Sequence, residues 1–543
     1  MKSSLNPIIQ IIFITTLIRI LLATFLNLGN DEVYYFTYAV QPDWNHFDHP
    51  PLIGLFIRLT TLNLTWISDL SMRLAAIFGA AINTWLIAKC TEQIANERAG
   101  VFASILYNAS IYTSIISGLF ILPDSVQLVF WMAALYEMVR IVAAPENADQ
   151  NKRILLVGIW TGLAMMCKVH GIFLWVGFIG FIVFHRRSLL KNPFLYLSAG
   201  ITLLFVSPIL YWSINNDFIT WRFHSGRVTV DEGINFKSLL VTTIGQILYS
   251  NPVQFVIYVV SLTAYAKRKK FIASPAIQLL LWCSVPIIFA TTLVSLFRST
   301  LPHWSGPGFL GLMIVAAVYI DFSLNQYSKK TYRFLKAAVL LTSFVCVAGP
   351  LLIYFFPGTT SDKASPETGQ NDPTLDLRGW DELLPAFDKI RKDDIANKRM
   401  SEGDPMVAHK WFPGGHIYYY VAYPLKMRFI GLGDLNDLHK FQWLNSIYGS
   451  IEPGSNAYYI SPSNNFTDPK ALYSEKFDTI EKAAIITQKR SGKVARYWYV
   501  YRLKTSKFQK LPHTNENFPF SPPAKQARPI KSAYQNCPGQ SRG

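Results

Sequence analysis

Residues 30–54 read NDEVYYFTYAVQPDWNHFDHPPLIG and follow directly on a long apolar run. They supply Asp31 and Glu32, then Asp43, His46, Asp48 and His49, and close on a Pro-Pro step. Further ionisable residues recur at the ends of later apolar segments: Asp124 in FILPDS, Lys168 in MMCKVHG, Asp217, Arg222, His224 and Arg227 in NNDFITWRFHSGR, and Arg298 and His303 in FRSTLPHWSG. Charges at a membrane boundary are costly unless paired or hydrated, so each is a candidate for function. The acids Asp31, Glu32 and Asp124 and the bases Lys168, Arg222, Arg227 and Arg298 together suit one kind of reaction. A carboxylate takes a proton from an attacking hydroxyl. Cations hold a phosphate and stabilise the charge it carries away. A phosphate beside apolar helices points to a lipid-linked phosphate.

Each residue also has a structural reading. Asp31 and Glu32 could face the positive end of a short helix, and Asp124 in LPDS has the chemistry of an N-cap. Lys168 could extend to the interface as an anchor. Arg298 could bind lipid headgroups, and His303 with Trp304 could form an interfacial pair. Arg222, His224 and Arg227 sit on a loop that could act as a lid. Glu32, His46, Asp48 and His49 could hold a divalent metal, although their spacing fits no standard motif. Tyr34, Tyr35 and Trp44, in the same stretch, could stack on a sugar. Arg19 and Arg73 lie within or beside apolar runs, where pairing between helices is the expected role.

The elements that must position these residues are membrane helices. Of 543 residues, 51% are hydrophobic and 16% charged, against about 25% charged in ordinary soluble domains. The deficit falls on residues 1–356, and 357–543 has soluble composition. A span needs roughly 20 mostly apolar residues. About eleven candidates occur, near 7–28, 71–89, 99–119, 124–143, 153–168, 170–185, 194–213, 238–262, 273–296, 305–322 and 335–356. The first lacks a small-x-small cleavage site and reads as an anchor rather than a signal peptide.

Basic residues cluster in alternate loops: Lys89 with Arg98, Lys152 with Arg153, Arg186 to Lys191, Lys267 to Lys270, and Lys329 to Lys336. These loops are expected to be cytoplasmic, with the N-terminus. The ionisable turns and the C-terminal domain then face outward. The net charge of +17 is largely this loop excess plus a basic tail, so nucleic acid is not an expected partner. The five cysteines show no CxxC spacing and no disulfide framework.

Beyond Phe356, PGTTSDKASPETGQNDP has linker composition. DLRGWDELLPAFDKIRKDD reads as a helix, and MVAH, KMRFIGL, NAYYISP, AAIITQ and ARYWYVYRL read as strands, giving an α/β domain over 357–508. Within it HKWFPGGHIYYYVAYP is aromatic enough to touch a glycan, though core packing is the simpler role. Residues 509–543, rich in proline and polar residues, are expected to be disordered.

The pieces NDEVYY, DHPPL, LPDS, GLAMMCKVHG, SPILYWSINNDFITWRFH and RSTLPHWSGPG, in this order over about residues 1–320, resemble the GT-C fold integral-membrane glycosyltransferases. The resemblance is to the group holding dolichyl-phosphate-mannose protein mannosyltransferases and the bacterial aminoarabinose transferases of lipid A. It implies a polytopic α-helical domain at 1–356 in a bacterial inner membrane, with its site facing the periplasm. It implies transfer of a sugar from a polyprenyl-phosphate carrier to a hydroxyl on a glycolipid, surface glycan or protein, by one inverting displacement. No nucleotide or other cofactor is required, and a divalent metal is possible. Asp31 matches the family's base or acceptor-orienting acid, and Asp124 its second acid. Asp48-His49-Pro50 matches an acidic–basic–Pro step that meets the carrier phosphate and sometimes a metal. Some members carry Lys where this chain has His49, a side chain only partly charged near neutral pH. Lys168 and Arg298 could supply that charge. The rival reading is a secondary transporter of a small polar solute. Such proteins place charges near the bilayer midplane in broken helices, often in paired repeats. Here the charges fall in outer turns and no repeat is visible.

Overall fold

A computed structural model describes residues 6–143, 149–226 and 233–508; Arg227 and the proline-rich stretch from 509 onward lie outside them. The helices run in chain order as α1 (Pro7–Phe25), α2 (Asn30–Val40), α3 (Leu52–Thr60), α4 (Asp69–Glu92), α5 (Glu97–Ala109), α6 (Pro123–Ala143), α7 (Asp149–Cys167), α8 (Ile172–His185), α9 (Pro193–Asn215), α10 (Ile219–Gly226), α11 (Phe236–Tyr249), α12 (Pro252–Ala266), α13 (Ser274–Ser295), α14 (Phe309–Asn325), α15 (Lys330–Phe355), α16 (Leu383–Ala396) and α17 (Trp411–Ile417). The expected apolar runs are mostly helical, but the run expected over 99–119 breaks after Ala109 into a π-helical turn, Tyr112–Ile116. Among the described residues seven helices are individually long and apolar enough to cross a membrane: α1, α4, α6, α9, α13, α14 with its preceding turn (Pro302–Asn325), and α15. The run expected as one span over 238–262 is two helices, α11 and α12, meeting at 94°. The cause is Asn251-Pro252. Asn251 takes a φ of 71°. Its side-chain oxygen caps Val253 N–H at 3.0 Å, and its amide nitrogen donates to Ala109 O and Ala338 O, both at 2.9 Å. Pro252 then starts a new helix because it has no N–H to continue the old one.

The two ends of the helical bundle differ in chemistry. At one end Arg186 donates to Ile141 O at 2.7 Å, Arg153 to Arg140 O at 3.0 Å, and Asn96 to Asp321 at 2.8 Å. The other end carries α2, α3, α10 and the C-terminal domain. That domain is built on a five-stranded sheet, β1 (Met406–Ala408), β2 (Phe429–Gly431), β3 (Ala457–Pro462), β4 (Phe477–Arg490) and β5 (Lys493–Ser506), in the order β2-β1-β3-β5-β4. β1 pairs parallel with β2 and β3, whereas β5 pairs antiparallel with β3 and β4. In register, Tyr459 faces both Val407 and Tyr501.

The sheet domain shares a hydrophobic core with the first outer loop: Val33, Phe36 and Ile53 pack in one cluster with Tyr418, Phe429, Phe441 and Tyr458. The aromatic segment 409–424 makes this joint. His416 bonds Leu28 O at 3.0 Å, Leu28 N–H donates to the Tyr420 hydroxyl at 2.7 Å, and that hydroxyl donates to Asp69 at 3.0 Å. The stretch 357–373, expected as a linker, is fixed in place. Arg490 in β4 donates to Gly358 O at 2.9 Å and pairs with Asp372 at 3.2 Å, and Asp372 also accepts from Thr360 N–H at 2.9 Å. A buried arginine outweighs a flexible composition here.

Candidate active site

α6 opens with Pro123 and Asp124, so its first turn presents a carboxylate at the outer end of the bundle. Asp124 is buried and accepts from Lys168 Nζ at 2.8 Å and from the Tyr112 hydroxyl at 2.9 Å. Lys168 leaves helical geometry between α7 and a short turn over Val169–Gly171. One turn along α6, Gln127 donates to Lys168 O at 2.7 Å and to Ala164 O at 3.2 Å, which fixes the lysine's backbone against α6. Tyr112 stands in a π-helical turn, Tyr112–Ile116. Its ring lies where a side chain at Gly306 would be: a Cβ there would come within 2.1 Å of the ring. The Pro302–Gly308 turn thus both seats Tyr112 and brings His303 within electrostatic reach of Asp124 and Lys168.

Asp31 arrives from α2. It keeps an exposed face, yet burial is the largest cause raising its carboxyl to about 6, helped by Asp48, Glu32 and Asp124 and opposed by Lys168. Tyr35, one turn along α2, is within electrostatic reach of Asp31, Asp48 and Asp124. Asp48 accepts from the Tyr34 hydroxyl at 2.8 Å and from the Tyr38 hydroxyl. His49 and His439, together with those two hydroxyl donors, hold its carboxyl below the usual range despite burial. The imidazole of His49 is lowered to about 4, by burial first, with Asp48 opposing and His224 and Lys168 adding to it. It is therefore neutral at physiological pH. His224 on α10 donates from Nε2 to the Asp48 carbonyl at 2.7 Å. Five separate chain segments thus bring Asp31, Asp48, His49, Asp124, Lys168, His224 and His303 to one end of the bundle.

Other candidates are placed differently. Glu32, read as a catalytic acid or metal ligand, faces away into the protein. Its two oxygens accept from Arg73 at 2.6 and 2.8 Å, from Ile121 N–H at 3.0 Å and from Gly29 N–H at 2.8 Å. Arg73 in turn donates to Leu26 O at 2.6 Å and Asn27 O at 2.8 Å. The pair joins α1, α2 and α4, which leaves Glu32 no free oxygen for chemistry. His46 is buried with its ring on Tyr38, centroids 3.7 Å apart. Among the described residues no group of three or more His, Cys, Asp or Glu side chains is disposed to hold a metal ion. Tyr34 is buried against Tyr35, Tyr38 and Trp411, so its ring is structural. Trp44 is exposed. Arg222 is exposed on α10, and Arg298 is half-buried in the turn that leads to His303.

Three participants escaped the sequence reading. Tyr112 and Gln127 are uncharged and gave no signal. His170, two residues after Lys168, lies within electrostatic reach of Lys168, Asp124, His49 and His224 and was visible in KVHG.

The fold is that of the GT-C integral-membrane glycosyltransferases, with an ArnT-like helical bundle and a small C-terminal sheet domain. A family model described as dolichyl-phosphate-mannose-protein mannosyltransferase matches residues 48–212. The crystal structure of ArnT from Cupriavidus metallidurans in the apo state superposes with a TM-score of 0.61 at 13% identity, covering 91% of this chain and 97% of that one. The same protein bound to undecaprenyl phosphate gives 0.61 at 14% identity with the same coverage. No curated protein sequence matches the chain significantly.

Proposed function

We propose that this protein transfers a sugar from a polyprenyl-phosphate carrier to a hydroxyl acceptor at the outer face of a bacterial inner membrane. The observation that carries the reading is the meeting of Asp31, raised to about 6, with the Asp124–Lys168 pair at 2.8 Å beside the His49 step. The fold and the undecaprenyl phosphate bound by the ArnT structure support the class of donor.

In the reaction the acceptor oxygen attacks the anomeric carbon while Asp31 takes its proton. The carbon–oxygen bond to the phosphate breaks, and the bonding pair leaves on the carrier phosphate. Attack from the face opposite the leaving group inverts the anomeric configuration. Lys168, His49, His303 and Arg298 face the growing phosphate charge, and His49 takes up a proton from solvent as that charge arrives. Asp124 holds Lys168 in place. The N-terminus and the basic loops lie in the cytoplasm and the sheet domain in the periplasm. The acceptor is a glycolipid, a surface glycan or a protein hydroxyl.

The test is incubation of purified protein in lipid nanodiscs with a panel of polyprenyl-phosphate sugars, scoring released lipid phosphate. Release with at least one donor, abolished by Asp31→Asn, is expected. Folded protein that releases nothing from any donor overturns the reading. Because Lys168 already supplies a fixed positive charge, transfer is expected to persist in a chelator. Loss of activity with EDTA, restored by a divalent ion, counts against that assignment of roles.

A further inference from the structure

The sheet domain reaches over the first outer loop through one residue in an unusual backbone state. His439 has a φ of 52° and ψ of −130°, between the short helix Leu435–Leu438 and the helix Phe441–Tyr448. A non-glycine residue in that region is strained, and such strain persists where surrounding contacts hold it. The contacts here are aromatic. The His439 ring stacks on Phe47 at 4.6 Å and on Trp411 at 5.7 Å, and meets Phe223 edge-on at 5.3 Å. Phe47 immediately precedes Asp48. The next residue continues the joint: Lys440 N–H donates to the Tyr34 hydroxyl at 3.3 Å, and that hydroxyl donates to Asp48 at 2.8 Å. A few residues on, Trp443 donates to Asn216 at the end of α9 at 3.3 Å. The strained turn therefore touches, in one place, the Asp48-His49 loop, α9 and α10.

We infer that His439 is a positioning residue, and that the sheet domain, through it, holds the Asp48-His49 step in the arrangement that receives the donor's phosphate. The inference rests on the proposed transferase reading for its substrate. The sheet domain is thereby a working part of the site rather than an appendage carried beside it. The ring stacks on Phe47 and Trp411 and is also within electrostatic reach of Asp48; the positioning comes from the stacking, which an uncharged aromatic ring keeps.

His439→Gly is the informative variant, because glycine relaxes the backbone while removing the ring. His439→Ala, which removes the ring and keeps only a Cβ, serves if the glycine variant expresses poorly. Hydrogen exchange of the segment 41–52 is measured first, since it needs no substrate. The His46 N–H, bonded to His49 O at 3.2 Å, is its clearest reporter. The expected result is exchange about tenfold faster or more in the variant. In transfer assays KM for the polyprenyl-phosphate sugar rises and kcat falls, lowering kcat/KM about tenfold or more, because His49 meets the phosphate both in the bound donor and as its charge grows. His439→Phe restores both exchange and kcat/KM. Exchange and kcat/KM like those of the natural protein in His439→Gly overturn the inference, as does failure of His439→Phe to restore them. A natural protein that transfers nothing sinks the transferase reading alone, and the exchange measurement still decides the role of His439.

Discussion

Asp31 and Glu32 are chain neighbours with opposite surroundings. The sequence shows two acids after an apolar run and cannot rank them, because the partner that separates them, Arg73, is 41 residues away. Arg73 neutralises Glu32 in the interior, whereas Asp31 forms no ion pair among the described residues and its carboxyl is pushed up to about 6 by burial. Asp31→Asn is expected to lower kcat by about 10²–10⁴, the usual worth of a general base. In the natural protein kcat/KM falls as pH drops through about 6, where Asp31 takes up a proton. Stability follows the same group with a worked sign. The folded state binds this proton more tightly than the unfolded chain, so stability is lost as pH rises from 3.8 to about 6. Asp31→Asn, which cannot ionise, therefore melts no lower than the natural protein at pH 7.5, and any advantage closes below pH 4. Glu32→Gln does the reverse. It leaves Arg73 buried without its anion, at a cost of about 3–5 kcal/mol, and thermal melting of the detergent-solubilised protein shows a lowered midpoint. Equal melting of the two variants would remove the distinction between a working acid and a structural one.

At the level of elements, the apolar runs were readable because the bilayer forces about 20 apolar residues into each span, and the strands because alternation and aromatic content mark a half-buried sheet. What was not readable is how elements break. The 238–262 run is apolar throughout, and only Asn251, capping α12 and holding Ala109 O and Ala338 O, makes it two helices. The linker composition of 357–373 likewise says nothing of Arg490, far along the chain in β4. The same logic makes a glycine informative. Gly306 belongs to the turn that delivers His303, and a methyl group there would meet the Tyr112 ring at 2.1 Å. Gly306→Ala must displace Tyr112, which donates to Asp124 at 2.9 Å. The expected outcome is transfer reduced by about tenfold or more, since small displacements of positioning groups are felt strongly. Tyr112→Phe separates the causes, because it loses the hydrogen bond while keeping the ring in its seat. If Gly306→Ala transfers as the natural protein does, Tyr112 has no part in holding Asp124.

Across the whole molecule, charge is divided between two ends. The loops at 186–191, 267–270 and 329–336 hold clustered bases, and the opposite end holds the mixed acids and bases of the site with the sheet domain above them. This division is what the preference of short basic loops for the cytoplasm predicts, and it suits the proposed lipid-carrier transferase, whose site must face one water boundary. The sequence conveyed it because loop charges are countable without knowing any contact. It could not convey that the sheet domain shares its core with α2 and α3, since burial of Val33 and Phe36 against Tyr418 and Phe429 depends on partners hundreds of residues apart. The orientation itself is testable at two exposed tips. Trp44, 53% exposed, stands at the site end, and Tyr327, 96% exposed, stands in the turn between α14 and α15 at the basic end. Trp44→Cys and Tyr327→Cys are each expressed in bacteria whose outer membrane has been made permeable. Both variants are made on Cys537→Ser, and that parent gives the background, its described cysteines being buried or half-buried. A membrane-impermeant thiol reagent is expected to label Trp44→Cys in intact cells and Tyr327→Cys only after the inner membrane is broken. The reverse pattern would turn the site toward the cytoplasm. Labelling of both tips in intact cells would mean that they share one side of the bilayer, which no arrangement of these helices with two distinct ends allows.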